Sequence, residues 1–371
     1  MNRRILIVCG VFYPQNTPRA FRATELSKEL ALLGHDVTVC FPLTKSDYSA
    51  FELEHNIKIR TLGYCRFKPI ILKGGKIEFF LRRLLRRLML MLFEWPDIEL
   101  MFKVRNFLKT HNGYDLLISI AVPHPIHWGV ALAWKKNTKV AKTWIADCGD
   151  PYMFSRMDTF KKMFYFQYLE KLFCRKCNYI TVPFDDMKHQ FYPEFRDKIL
   201  TIPQGFNFNE VKTFKGEIKN SIPTFIFAGS IIPGLRDLDQ LLIFLGGCKE
   251  DFLFINYTKQ PEWYKKYKKY LDGKIELRDY IDRKDLVFEL SKADFLVNVD
   301  SVFEFSQQSE AIPSKLIDYA LAGRPILNII SDNLDKTKVL AFLSGDYSTA
   351  RVIDISIYDI NKVAESFLNL E

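Results

Sequence analysis

The chain has 371 residues, 48% of them hydrophobic and 26% charged, which fits an ordinary globular protein and leaves room for two buried cores. The formal net charge is +9 and the pI about 9.0, a balance that favours anionic partners such as phosphorylated small molecules or acidic lipid. No Lys-rich or Arg/Gly tail and no RNP-type aromatic motif accompanies that charge, so nucleic acid is not an expected partner.

The N-terminal segment MNRRILIVCG opens a strand almost at once and has no small-residue cleavage site, so no signal peptide is expected. Ile5 to Val8 is a continuous apolar run, as in a parallel strand buried on both faces. Ala23, Leu26, Leu30 and Leu33 then recur at helical spacing until Gly34, and Val37 to Phe41 makes the next strand. The pattern repeats at Leu116–Ala121, Trp144–Ala146, Tyr179–Val182 and Ile199–Ile202. A second series runs through Thr224–Ala228, Phe252–Tyr257, Phe295–Val299, Pro325–Ile330 and Arg351–Ile353. Strands alternating with helical stretches predict an α/β protein with two doubly wound, Rossmann-like domains. The expected division is residues 1–202, a polar linker at 203–222 and residues 223–371, with the last helix able to pack back on the first domain.

A dinucleotide-dependent dehydrogenase shares this architecture, but Cys9-Gly10-Val11-Phe12-Tyr13-Pro14 after the first strand is not a G-x-G-x-x-G fingerprint, and there is no P-loop. The seven cysteines are scattered, and Cys174-x-x-Cys177 has no second pair, so no metal site is expected. Residues 76–93, KIEFFLRRLLRRLMLMLF, put Ile77, Phe80, Leu81, Leu84, Leu85, Leu88 and Leu92 on one helical face and Arg82, Arg83, Arg86 and Arg87 on the other, joined late by Leu90 and Phe93. A helix this apolar and this basic suits an anionic membrane surface, while no apolar run is long enough to span a bilayer.

The segment richest in chemistry is SEAIPSKLIDYALAGRPILNII, residues 309–330. Pro313 suits the first turn of a helix, the free N–H groups around Ser314 and Lys315 form an anion site, and Lys315 adds a mobile positive charge. Asp318 lies one turn on, on the face of Lys315, and Glu310 precedes it in the loop. A nucleoside-diphosphate sugar needs this set: donors and a cation for the diphosphate, a carboxylate for the ribose diol, polar groups for the sugar. Upstream, Gly229 ends a strand beside Ser230, and Arg236 follows near a helix start, where a guanidinium suits bidentate phosphate contact. Asp237-Leu238-Asp239 spells D-x-D, but both acids fall in a first helical turn, where the helix dipole favours them anyway. Near the ends of first-domain strands stand His124 and His127, where open α/β sheets bind ligands, and Asp147 and Asp150, suited to orienting an acceptor hydroxyl.

These motifs resemble the retaining glycosyltransferases of family 4 in the GT-B class. PSKLIDYALAGRP is similar to the form PSK-x-x-E-Y-x-A-x-G-x-P, and Glu310-x7-Asp318 to the signature E-x7-E, with Asp in the second place. Residues 12–39 with the Tyr13-Pro14 loop, WIADCGDPY (144–152), IPQGFN (202–207) and FAGSIIPGLRDLDQLL (227–242) extend the resemblance over nearly the whole chain. The resemblance implies two domains facing across a cleft. The donor would be a nucleoside-diphosphate sugar held by Gly229, Ser230, Arg236, Ser314, Lys315 and Asp318, with Asp318 on the ribose and Glu310 near the sugar. His127 and Asp150 would serve the chemistry, and Asp147 and Tyr13 the acceptor side. It further implies retention, no metal and no other cofactor. The acceptor expected is a lipid-linked or polysaccharide intermediate of capsule or lipopolysaccharide type, taken by a peripheral protein at the cytoplasmic face of the membrane. The alternatives are a sugar-nucleotide epimerase of the same fold and a non-catalytic, membrane-bound scaffold of glycan assembly.

Overall fold

A computed structural model describes residues 2–15, 17–135, 140–155, 161–234, 236–267, 272–300 and 314–370. The chain divides into two compact units, residues 1–206 with 357–371, and residues 207–356. In the first unit the strands are β1 (Arg4–Cys9), β2 (Asp36–Phe41), β3 (Lys58–Thr61), β4 (Tyr114–Ala121), β5 (Ala141–Cys148), β6 (Tyr179–Val182) and β7 (Ile199–Thr201). They form one parallel sheet in the order β3-β2-β1-β4-β5-β6-β7. Its helices are α1 (Pro18–Leu32), α2 (Ser49–His55), α3 (Lys76–Phe93), α4 (Ile98–Leu108), α5 (Pro125–Ala133) and α6 (Phe166–Lys176).

The second unit holds β8 (Thr224–Ala228), β9 (Leu253–Tyr257), β10 (Ile275–Arg278), β11 (Phe295–Asp300) and β12 (Ile326–Ile330), parallel in the order β10-β9-β8-β11-β12. Its helices are α7 (Asp239–Gly246), α8 (Pro261–Tyr264), α9 (Arg283–Leu290), α10 (Ser314–Leu321) and α11 (Lys336–Leu343); the last helix, α12 (Ile360–Leu368), belongs to the first unit. Among the described residues two doubly wound parallel sheets thus carry the fold. The segment Arg351–Ile353, expected as a strand, is irregular: only Arg351 N–H reaches the sheet, donating to the Ile326 carbonyl at 2.9 Å, and Val352 points into solvent.

Continuous apolar strands follow from burial on both faces. Leu6 and Val8 enter one core of the first unit, Ile5, Ile7 and Cys9 the opposite one. In the second unit Phe225 and Phe227 face one core, Ile226 and Ala228 the other. Phe225 stacks between its register partners Phe254 and Phe295, both at 4.6 Å, a three-ring row across β9, β8 and β11. Phenylalanines thus form one row of this core.

Helices cover both faces. Thr17 caps α1, its hydroxyl accepting from Ala20 N–H at 3.2 Å, with Pro18 in the first turn. Ile360, Val363, Ala364 and Phe367 of α12 join Leu26 and Leu30 of α1 in one cluster. On the other face α5 presses on α4 at Gly129, where a Cβ would meet the Met101 carbonyl and Val104 Cβ, each at 2.7 Å. Gly129→Ala should therefore lower stability by about 1–3 kcal/mol. Gly247→Ala, whose Cβ would find its nearest neighbour at 3.5 Å, should change it by less than about 0.5 kcal/mol. Urea midpoints of the two variants beside the parent check the contrast.

Candidate functional site

The second unit gathers its charged residues where the winding of the sheet reverses, between β8 and β11. Those strands pair only as far as Phe225–Phe295 and Ile226–Leu296, although β8 stays paired with β9 to Ala228, and β11 with β12 to Asp300. Past Ile226 the two part, and the Ala228 N–H donates instead to the hydroxyl of Tyr319, at 2.8 Å. Tyr319 is fully buried, and it fixes α10 against the strand end that carries Gly229. The sequence motif includes this tyrosine after Asp318, but sequence reasoning gave it no role.

Lys315 lies one residue into α10, its ammonium 5.6 Å from the Phe227 ring. Its stem passes Gly229: a Cβ there would sit 3.8 Å from Lys315 Cδ. Burial, and after it the Arg236 guanidinium, pull the Lys315 pKa from 10.5 to about 8, while Asp300 draws it the other way. Arg236 follows a tight loop closed by reciprocal backbone bonds with Ile232, both 2.8 Å. Asp300 accepts from Arg351 at 2.8 Å, Asn298 at 2.9 Å and Asn328 at 3.0 Å. Arg351 comes from the segment expected as a strand, and sequence reasoning gave it no role. Among the described residues, Lys315 is thus repelled by Arg236 and Arg351 and drawn by Asp300, which is itself paired with Arg351, and an anion bound here would ease that repulsion.

Asp318 faces Arg283, the first residue of α9, whose Nε donates to its carboxylate at 2.6 Å. Burial raises the Asp318 pKa and the guanidinium counters the rise. Beside α9 a cleft of about 430 Å³ lies between Tyr257 and Arg278 at the ends of β9 and β10, and Ile281, Asp285 and Phe288. Ser230 is exposed. In the D-x-D triplet, Asp237 accepts from Gly234 N–H at 2.8 Å and Asp239 N–H at 3.1 Å, and Asp239 pairs with Lys266 at 2.9 Å. Glu310 and Pro313 lie outside the described residues, as does the Ser314 side chain.

The first unit places its candidates at the same end of its own sheet. Gly10 follows β1, and a Cβ there would meet Pro123 Cδ at 2.4 Å, so the β1 and β4 ends pack backbone against ring. His127 is fully buried, with Nδ1 2.8 Å from Ser119 Oγ and Nε2 3.4 Å from Cys148 Sγ; Ser119 also accepts from Trp144 Nε1 at 2.8 Å. Burial drives the His127 pKa down to about 3. His124 is buried beside Tyr152, ring to ring at 5.0 Å. Asp147 is buried in a fork with Arg22, at 2.8 and 3.0 Å, and accepts from Thr181 at 2.8 Å. Arg22 also donates to the carbonyls of Ile202 and Pro203, joining α1, β5 and the chain after β7. Asp150 is more than half exposed and pairs with Arg19 at 3.3 Å; the Arg19 guanidinium fills the space where a Cβ on Gly149 would lie. Tyr13 is partly exposed and stacks on Phe51 at 5.0 Å. His127 and Asp147 are thus held in the wall, whereas Asp150, Arg19 and Tyr13 reach solvent. Arg19 went unnoticed in the sequence; its spacing from Arg22 at the start of α1 was the available signal.

No protein-family model and no curated protein matches this chain. Solved structures do match over its whole length. It is similar to a glycosyltransferase from Rickettsia africae ESF-5, at 11% identity and TM-score 0.62, over 100% of this chain and 98% of that one. It is similar to the lipopolysaccharide outer core galactosyltransferase WaaB, at 12% identity and TM-score 0.59, over 99% and 98%. It is also similar to HepE from Anabaena, solved with UDP and glucose, at 11% identity and TM-score 0.54, over 99% of each chain. These likenesses show the fold: two Rossmann-like units of the GT-B kind.

Two outcomes follow from the geometry. Tyr319→Phe leaves the buried Ala228 N–H without its acceptor and should cost about 1–3 kcal/mol in urea unfolding. The His127 ring protons should show no NMR titration between roughly pH 5 and 8, since its pKa lies near 3.

Proposed function

We propose that the protein is a glycosyltransferase that moves a sugar from a nucleoside-diphosphate sugar to an acceptor, with retention and without a metal ion. The observation that carries this reading is the cation cluster at the parted ends of β8 and β11, in which Lys315 is held by burial and by Arg236 with its pKa near 8. Arg236 and Arg351 both oppose the charge on Lys315 there, and a bound anion would favour it. The fold likeness to WaaB and to HepE, the latter solved with UDP and glucose, supports a sugar nucleotide as that anion.

In this reading Arg236 and Lys315 take the diphosphate, beside Gly229, Ser230 and Ser314, and supply the positive charge that a metal provides elsewhere. Asp318, steadied by Arg283, takes the ribose, the cleft beside α9 takes the base, and Glu310 lies toward the donor sugar. Asp150 and Tyr13 serve the acceptor, while His127 and Asp147 hold the wall behind them. The acceptor oxygen bonds to the anomeric carbon, the bond from that carbon to the diphosphate oxygen breaks, and the acceptor proton passes to the departing diphosphate on the same face. No protein nucleophile takes part. The acceptor is a lipid-linked or polysaccharide intermediate of cell-surface glycan synthesis, met at the cytoplasmic side of a membrane.

A thermal-shift series with UDP, GDP, ADP, CMP and their sugar conjugates in EDTA tests the reading. One nucleotide should raise Tm by several degrees, as expected when ligand at about 100 times Kd adds ~2.7 kcal/mol. Lys315→Ala and Asp318→Ala should each abolish the shift. No shift with any nucleotide overturns the proposal and favours a scaffold; release of free or epimerised sugar without acceptor favours an epimerase. The pH dependence has a fixed sign. Lys315 is charged below about pH 8, and a bound diphosphate stabilises its charged form. Affinity should therefore be greatest below pH 8 and fall as pH rises through and above it, whereas Lys315→Arg should remove most of that dependence.

A further inference from the structure

We propose that α3 is a docking element for an anionic membrane surface, laid flat in the lipid interface and fastened to the first unit at its C-terminal end. The helix spans Lys76–Phe93 and buries none of its residues, whereas α12, half as long, buries four. Successive residues turn by about 100°, which gathers Ile77, Phe80, Leu81, Leu84, Leu85 and Leu88 into one stripe. Of these, Ile77 is 78% exposed and Phe80 64%. The remaining arc carries Lys76, Arg82, Arg83, Arg86 and Arg87 against one acid, Glu78, itself bound to Arg82 at 2.8 Å. A stripe of large apolar side chains left in water calls for a cover, and no described residue provides one.

Charge decides what that cover is. Five cations and one acid give the helix a net charge of +4. A second copy of this chain would bring the same +4 to the seam, whereas anionic lipid supplies both apolar depth for the stripe and negative headgroups for the arginines. No described helix is long and apolar enough to cross a membrane, so the element lies on the surface and does not insert across it.

The two ends of α3 differ. Its N-terminal end follows Gly74, at φ +98°, and Gly75 caps it with no side-chain hydrogen bond. At the other end Glu94 turns into the left-handed region at φ +50° and is buried, accepting from Tyr152 at 2.9 Å with Lys162 Nζ at 3.4 Å. Tyr165 donates to the Leu92 carbonyl beside it. The Tyr152 ring in turn packs on His124 and Trp128, at 5.0 and 5.1 Å. A docked helix is thus tied through Glu94 and Tyr152 to the turn after β4. That link brings a lipid-borne acceptor to the acceptor side; this last step rests on the transferase reading, while membrane docking does not.

The test is co-sedimentation of the full chain with phosphatidylcholine vesicles, with and without phosphatidylglycerol, at low and high salt. The parent should bind the phosphatidylglycerol vesicles, and salt should weaken binding by screening. Each arginine near anionic lipid is worth roughly a five-fold gain in partitioning, so R82E/R83E/R86E/R87E should lose on the order of a hundred-fold or more. F80S/L84S/L88S should bind weakly to both vesicle types. Nucleotide-induced thermal shifts should be unchanged in both variants, which shows that they fold and separates failure of the anchor from failure of the donor site. Indifference of the parent to phosphatidylglycerol, equal binding after charge reversal, or a stable dimer in sedimentation that F80S/L84S/L88S splits and that ignores vesicles would each overturn the proposal.

Discussion

The structure depends most on one topological constraint, the reversal of winding in each parallel sheet. A parallel strand needs a crossover helix, and helices must cover both faces of the sheet, so the chain winds first one way and then the other. At the reversal the neighbouring connections leave to opposite faces, and the carboxyl ends of the two central strands stand open. In the second unit the opening reaches into the sheet, since β8 and β11 part after Ile226 and Leu296. A parted sheet strands a backbone donor in the core, and Tyr319 satisfies it. The same contact carries α10, and with it Lys315 and Asp318, to the opening. One hydroxyl therefore links the irregularity of the sheet to the position of the charges.

Those charges are expensive where they stand. Lys315 lies among two guanidiniums and one carboxylate that is already paired, and its lowered pKa records the cost. The first unit treats its buried charge differently. Arg22 and Asp147 satisfy one another in a fork, Thr181 adds a third bond to the carboxylate, and the remaining guanidinium donors go to two carbonyls. That network joins elements far apart in sequence; around Lys315 two guanidiniums oppose its charge and Asp300 favours it. The contrast separates a paired, hydrogen-bonded guanidinium and carboxylate from a lysine held among like charges.

The central strands were legible because burial on both faces forces continuous apolar runs, as in Ile5–Val8 and Thr224–Ala228. The edge strands were not. β3 and β10, reading KIRT and IELR, are half exposed and carry no such run. The reverse error occurred at Arg351–Ile353, taken as the next strand in the strand–helix series, whereas the sheet already ends at β12. Of the candidate site, Gly229, Arg236, Lys315 and Asp318 were readable because each lies within a few residues of a strand end or helix start. Asp300 with Arg351, and Asp318 with Arg283, are pairings across 51 and 35 residues, which local pattern does not reveal. Burial of His127 was likewise hidden: the sequence places it after a strand, but only packing against Ser119 and Cys148 fills both its nitrogens.

Arg283 also bears on the aspartate at position 318. A carboxylate one methylene shorter than glutamate reaches less far from its helix, and alone at a mostly buried position it would tend to take up a proton. The guanidinium at the start of α9 opposes that tendency, and Asp282 fixes α9 by accepting from Lys284 N–H at 3.1 Å. The pair therefore fixes the carboxyl at a defined place between α9 and α10, beside the cleft at the ends of β9 and β10. Aspartate meets the guanidinium at 2.6 Å. In this chain the short acid and its arginine act as one unit: burial favours the protonated acid, the guanidinium opposes that, and the hydrogen bond fixes where the carboxyl stands.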